Sequence, residues 1–264
     1  MKLRNPPIVE AWIEFHLEAS AQETTWKGQA IDEFFALLIP EFSSRENIFF
    51  QRLTIEKQTP AGLPVEGKIE GKLNRVRAFD SERRRCVQVG ENVLVFNAIR
   101  HDSDYMGFTR MCGEAMRRLD QYSRIFRPQF VRAAALHYMD VVKLPFNQAE
   151  PLKLEEHFTL GVQLPQQPQL PLNRLRLEVS IPIGADSSQG DQLALAFGTE
   201  PPEAGTNEYR FRLDWHATCA KVDTLDEEVL KRRLQAVHGF TVDFFRRCFT
   251  KKTWSLFGPE KEEA

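Results

Sequence analysis

The chain has 264 residues, 42% hydrophobic and 27% charged, with a formal net charge of -2 from 35 Lys and Arg against 37 Asp and Glu. A chain of this size buries roughly three quarters of its extended surface, enough core for one large domain or two of about 130 residues. The balanced charge excludes the global electrostatic pull of a dedicated nucleic-acid or membrane-surface binder, and no apolar run approaches the ~20 residues of a spanning helix.

The predicted elements begin with a strand. Val9, Ala11, Ile13, Phe15 and Leu17 alternate with Glu10, Trp12, Glu14 and His16, the period-two pattern of a half-buried strand. Pro6 and Pro7 precede it, where a missing N–H does not interrupt the ladder. Ile31, Phe34, Phe35 and Leu38 predict a helix over 28–38, stopped by Pro40. Strands are predicted at 48–56, 72–79, 84–89 and 92–99, the last two joined by a turn at Gly90, Glu91 and Asn92. The stripe of Tyr105, Phe108, Met111, Cys112, Ala115, Met116 and Leu119 predicts a helix over 103–122.

The order then starts again. A long apolar strand is predicted over 130–142, a short helix near 151–160, and a Pro- and Gln-rich spacer at 163–173. Strands follow at 175–181, 192–198 and 209–217. In the last, Tyr209, Phe211, Leu213, Trp215 and Ala217 alternate with Arg210, Arg212, Asp214 and His216. Thr224 and Glu227 form a capping box, worth on the order of 1 kcal/mol. The helix it opens carries Leu230, Leu234, Val237, Thr241, Phe244 and Cys248 on one stripe.

Each half therefore reads strand, helix, antiparallel strands, long helix. The predicted class is α+β: a mainly antiparallel sheet with helices on one face, in two similar halves, 1–125 and 126–258, and a frayed tail at 259–264. One merged two-layer domain is the alternative. The four cysteines, at 86, 112, 219 and 248, form no C-x-x-C pair, and the N-terminus lacks the apolar core of a signal peptide, so the expected setting is cytoplasmic with reduced thiols.

The start Asn5-Pro6-Pro7-Ile8-Val9-Glu10-Ala11, the strand Leu136-His137-Tyr138-Met139-Asp140, and Val237-His238 followed by Phe244 resemble a sporadically distributed family of uncharacterised bacterial proteins. Members have similar lengths, so the resemblance spans nearly the whole chain. The family pattern has arginine-tyrosine and asparagine in the middle strand, where this chain has His137, Tyr138 and Asp140. The patchy distribution implies mobile-element or antiviral defence loci. The resemblance implies no catalytic residues.

Several clusters are candidates for chemistry. Residues 62–69, GLPVEGKI, approach a phosphate-binding loop, but Ile69 stands where that motif needs Ser or Thr, and a strand is predicted where it needs a helix. Asp214 and His216 share a strand face and are the weak candidates for acid–base work or part of a metal site, with His137 or Asp140 as further ligands if the strands are neighbours. The competing reading is the solvated face of a sheet.

Lys72, Arg75, Arg77, Arg83, Arg84 and Arg85, with Arg210 and Arg212, are the candidate nucleic-acid or partner-binding residues, since arginines beside Phe79 can hold phosphates while an aromatic stacks a base. A solvated hairpin rim is the alternative. His238 reads as a hydrogen-bonded core or boundary residue. Cys86, beside Arg85, is the one cysteine with a possible lowered pKa. The function expected is a non-catalytic binding or regulatory protein acting on another protein, with no cofactor or metal and no membrane. An RNA-binding or metal-independent RNA-processing protein and a small-molecule sensor are the alternatives.

Overall fold

The structure is a computed structural model. It describes residues 3–19, 26, 28–55, 67–100, 105–145, 152–160, 175–184, 190–201 and 208–258. Nine antiparallel strands form one sheet: β1 (Ile8–Glu18), β2 (Ser44–Ile55), β3 (Gly67–Phe79), β4 (Arg85–Gly90), β5 (Val93–Ile99), β6 (Phe130–Pro145), β7 (Arg176–Pro182), β8 (Gln192–Glu200) and β9 (Glu208–Cys219). Their order across the sheet is β2-β3-β4-β5-β1-β6-β9-β8-β7. Reading outward from the β1–β6 seam, each side places its own last strand next to its first and meanders to an edge. The fold is α+β, and the four helices among the described residues are α1 (Gly28–Leu38), α2 (Phe108–Phe126), α3 (Glu227–Arg247) and α4 (Lys251–Leu256).

Alternation decides which sheet face is covered. Ala11, Ile13, Phe15 and Leu17 of β1 are buried and pair beside Leu94, Phe96 and Ala98 of β5 and Ala134, Leu136 and Tyr138 of β6. This continuous apolar face receives the helices, each fully buried Leu or Phe contributing about 2 kcal/mol. A register shift between Ile8 and Glu10 changes one expectation: Ile8 turns inward and Val9 outward, because a bulge reverses the pleat's parity.

Helix α2 lies over β5 and β1, and α3 lies over β9 and β6. Their buried stripes are Met111, Cys112, Ala115, Met116 and Leu119 on α2, and Leu230, Leu234, Val237 and Thr241 on α3. Phe34 of α1 meets Tyr122 edge-on at 5.9 Å and Phe126 at a tilt at 6.0 Å. Arg118, wholly buried on α2, donates to Glu41 at 2.8 Å and stands over Phe42, fastening the exit of α1 to α2.

Several boundaries move. The expected helix over 103–122 begins only at Phe108, because Gly107 takes a φ of 76° that no helix continues through. Tyr105 therefore leaves the helical stripe. The helix expected near 151–160 is a single 3-10 turn, Leu154–Glu156, and α3 is capped by Asp226 rather than Thr224. Strands β2 and β3 start earlier than expected. Residues 62–66 of the phosphate-loop candidate, the 163–173 spacer and the 259–264 tail lie outside the described residues. Gly67–Ile69 open β3, a strand and not the helix a phosphate loop requires. Among the described residues no helix is long and apolar enough to cross a membrane.

Candidate functional site

Strand β6 turns Leu136, Tyr138, Asp140, Val142 and Leu144 toward the helices, and all five are buried. Asp140 thus puts a carboxyl into an otherwise apolar layer at 5% exposure. Trp215 of β9 lies opposite Tyr138 in register, and its Nε1 donates to Asp140 Oδ2 at 2.8 Å. No cation pairs with Asp140 among the described residues. Burial raises its pKa to about 7; the Trp215 hydrogen bond pulls the other way, and the charge of Asp214 adds to the rise.

The next layer comes from the helices. His238 of α3 lies 2.8 Å from the Tyr138 hydroxyl through Nδ1, and its ring stacks on Phe108 of α2 at 4.0 Å. Which partner donates depends on the imidazole tautomer. Burial lowers the His238 pKa to about 4, so the ring is neutral near pH 7. The Tyr105 hydroxyl, released from α2 by Gly107, is enclosed and makes no hydrogen bond among the described residues. Burial also raises the pKa values of both Tyr105 and Tyr138.

These groups wall a cavity of about 500 Å³ over the central seam. Pro6 and Pro7 close one side, the turn into α2 another, and α3 and α4 the rest, with Phe245 and Trp254 as apolar walls and Arg246 among the lining residues. The guanidinium of Arg100 donates to the Pro6 carbonyl, and the Asn5 amide donates to Phe257 at 3.0 Å, so the Pro-Pro entry is held at both ends. A pocket this size, apolar with a few convergent polar groups, suits a small molecule.

The expected site residues lie elsewhere. Asp214 and His216 are on the open sheet face. Arg212 Nε donates to both Asp214 oxygens at 2.8 Å, and His216 stacks on His137 at 4.1 Å, which in turn stacks on Trp12 at 4.5 Å. His137 is pushed down to about 3, first by burial and then by His216. His137 and His216 are therefore neighbours, but Asp140 faces away from both. No three His, Cys, Asp or Glu side chains converge on a cation position among the described residues.

The arginines separate into groups. Arg75 and Arg77 lie on β3, 4.0 Å from Glu14 and 2.8 Å from Gln88 respectively. Arg83, Arg84 and Arg85 lie at the β3–β4 turn, bound to Glu46, Glu82 and Asp80, and Arg83 covers the Phe79 ring at 3.9 Å. Arg210 and Arg212 pair near Glu200 on β9. Four strands intervene between β3 and β9, roughly 24 Å at the usual strand spacing. The side chain of Lys72 lies outside the described residues. Cys86 is raised to about 12 by burial, the reverse of activation, and all four cysteines are buried.

Sequence reasoning placed His238 in the core or at its boundary and named Asp140 only as a spare ligand. A carboxylate in the inward phase of an alternating strand was the available signal. Tyr105, Trp215 and Arg246 carried none, since their convergence depends on the seam and on the late start of α2. No model of a known protein family and no curated protein matches the chain.

Proposed function

We propose that this protein is a binding or regulatory protein that takes a small organic molecule in the cavity over the β1–β6 seam. One observation carries the reading: Asp140 is buried against the cavity with a single side-chain hydrogen bond, from Trp215, beside the unpartnered hydroxyl of Tyr105. Buried polar groups are normally satisfied, and leaving a donor or acceptor unmade costs about 1–3 kcal/mol. A ligand supplies the missing partners. Walls from the entry to β1, the turn into α2, and α3 and α4 let occupancy act on several elements together, as a sensor requires.

Thermal shift against a library of small metabolites tests this. Binding to the folded state alone raises Tm, by about 2.7 kcal/mol of added stability at a hundredfold excess over Kd. Val242 lines the cavity from α3. Val242→Trp narrows it, so the variant is expected to keep its fold and to show a clearly smaller ligand-induced rise. No ligand-dependent rise in the wild type, or an equal rise in Val242→Trp, overturns the proposal.

A further inference from the structure

The ligand class follows from what surrounds Asp140, and rests on the cavity being a ligand site. We infer that the cavity takes an organic cation, a primary or substituted ammonium on an apolar body, with Asp140 as its counter-ion and the aromatic walls as its cage. Among the described residues that line the cavity Asp140 carries the only carboxyl, and no described cation pairs with it. Ionising the enclosed carboxyl without a counter-ion is costly, so it keeps its proton up to about pH 7, and the resulting carboxylate has one fixed donor, the Trp215 indole. A neutral ligand would leave that cost in place. A carboxylate ligand would set two acids together. An ammonium removes it.

The walls point the same way. Trp215 meets Phe245 edge-on at 5.8 Å, and Phe245 meets Trp254 edge-on at 6.0 Å. Trp215 turns its N–H edge to the acid, while Phe245, Trp254 and Tyr105 line the same cavity, and aromatic rings beside a desolvated cation attract it through their quadrupoles. His238, neutral near pH 7, adds no competing positive charge. Arg246 is exposed, where its repulsion is screened within ~8 Å at physiological salt.

Three fluorescent probes share one apolar body and a short linker and differ in charge: dansylethylenediamine (ammonium), N-ethyl dansylamide (neutral) and dansylglycine (carboxylate). Titrated against the intact protein at pH 8, dansylethylenediamine binds at least about tenfold tighter than the other two. Asp140→Asn removes that preference. The wild-type preference is read without any variant, so the inference stays testable if Asp140→Asn folds poorly. Equal binding of all three, or preference for dansylglycine, overturns the cation class and leaves the cavity proposal standing. No binding by any probe, together with no thermal shift from the metabolite library, overturns both.

Discussion

Asp140 occupies a position that β6's own alternation assigns to an apolar side chain, and that has a measurable signature. Its carboxyl keeps a proton in the folded state up to about pH 7, whereas its ordinary value is 3.8. As pH rises through that window the unfolded chain ionises first, so this group's contribution to stability falls, by roughly 4 kcal/mol for an isolated shift of this size. Asp140→Asn, which keeps an acceptor for Trp215, is therefore expected to be several kcal/mol more stable than wild type at pH 8 and nearly equal at pH 4, as read by urea unfolding. His238 titrates with the opposite sign: its depressed pKa means stability is lost as pH falls from 6.5 toward 4. Tyr105, Tyr138, Asp214 and Arg246 are among the ionisable groups near Asp140, and all are common to both proteins, so the difference curve reports chiefly the carboxyl. A side chain that costs stability where an amide would not is what a binding site leaves behind.

Among the elements, α3 shows how a local motif can be right in kind and displaced in place. A capping box predicts Thr224 as the cap. The side chain that accepts from the free amides is Asp226 Oδ1, from Glu228 at 2.9 Å and Val229 at 3.0 Å, while Thr224, two residues earlier, accepts from the Asp226 amide. Asp226→Ala should cost about 1 kcal/mol in urea unfolding, and Thr224→Ala about half that, since Thr224 orders the approach and not the helix. Helix α2 teaches the complementary lesson. Its apolar spacing extends back to Tyr105, yet Gly107 at positive φ stops the helix at Phe108. Periodicity reports which residues could share a face, and one glycine decided which of them do. The freed tyrosine became a wall of the cavity.

For the whole molecule, the β1–β6 pairing matters most. It runs from Ile8 opposite Asp140 to Glu18 opposite Phe130, joining the two five- and four-strand sides into one sheet. Cutting there exposes two long strand edges and splits the cavity's walls between fragments. Residues 1–125 and 126–258 expressed separately are expected to aggregate or stay unfolded, and to recover a folded complex when co-expressed, as judged by circular dichroism and size-exclusion chromatography. Two independently folded, monomeric fragments would show that the seam is not needed for either side.

The sequence by itself determined the strands and the buried stripes of the main helices, because alternation and helical spacing depend only on near neighbours along the chain. It also determined the α+β class and the covered sheet face, through the inward phases of β1 and β9. Tertiary structure alone decided that Arg75 and Arg77 stand far from Arg210 and Arg212, and that Asp140 meets Trp215, His238 and Tyr105 around one cavity. Strand order and helix docking bring together residues as far as a hundred positions apart, such as Tyr138 and His238. No local pattern encodes such a distance; it emerges only once the apolar faces have packed.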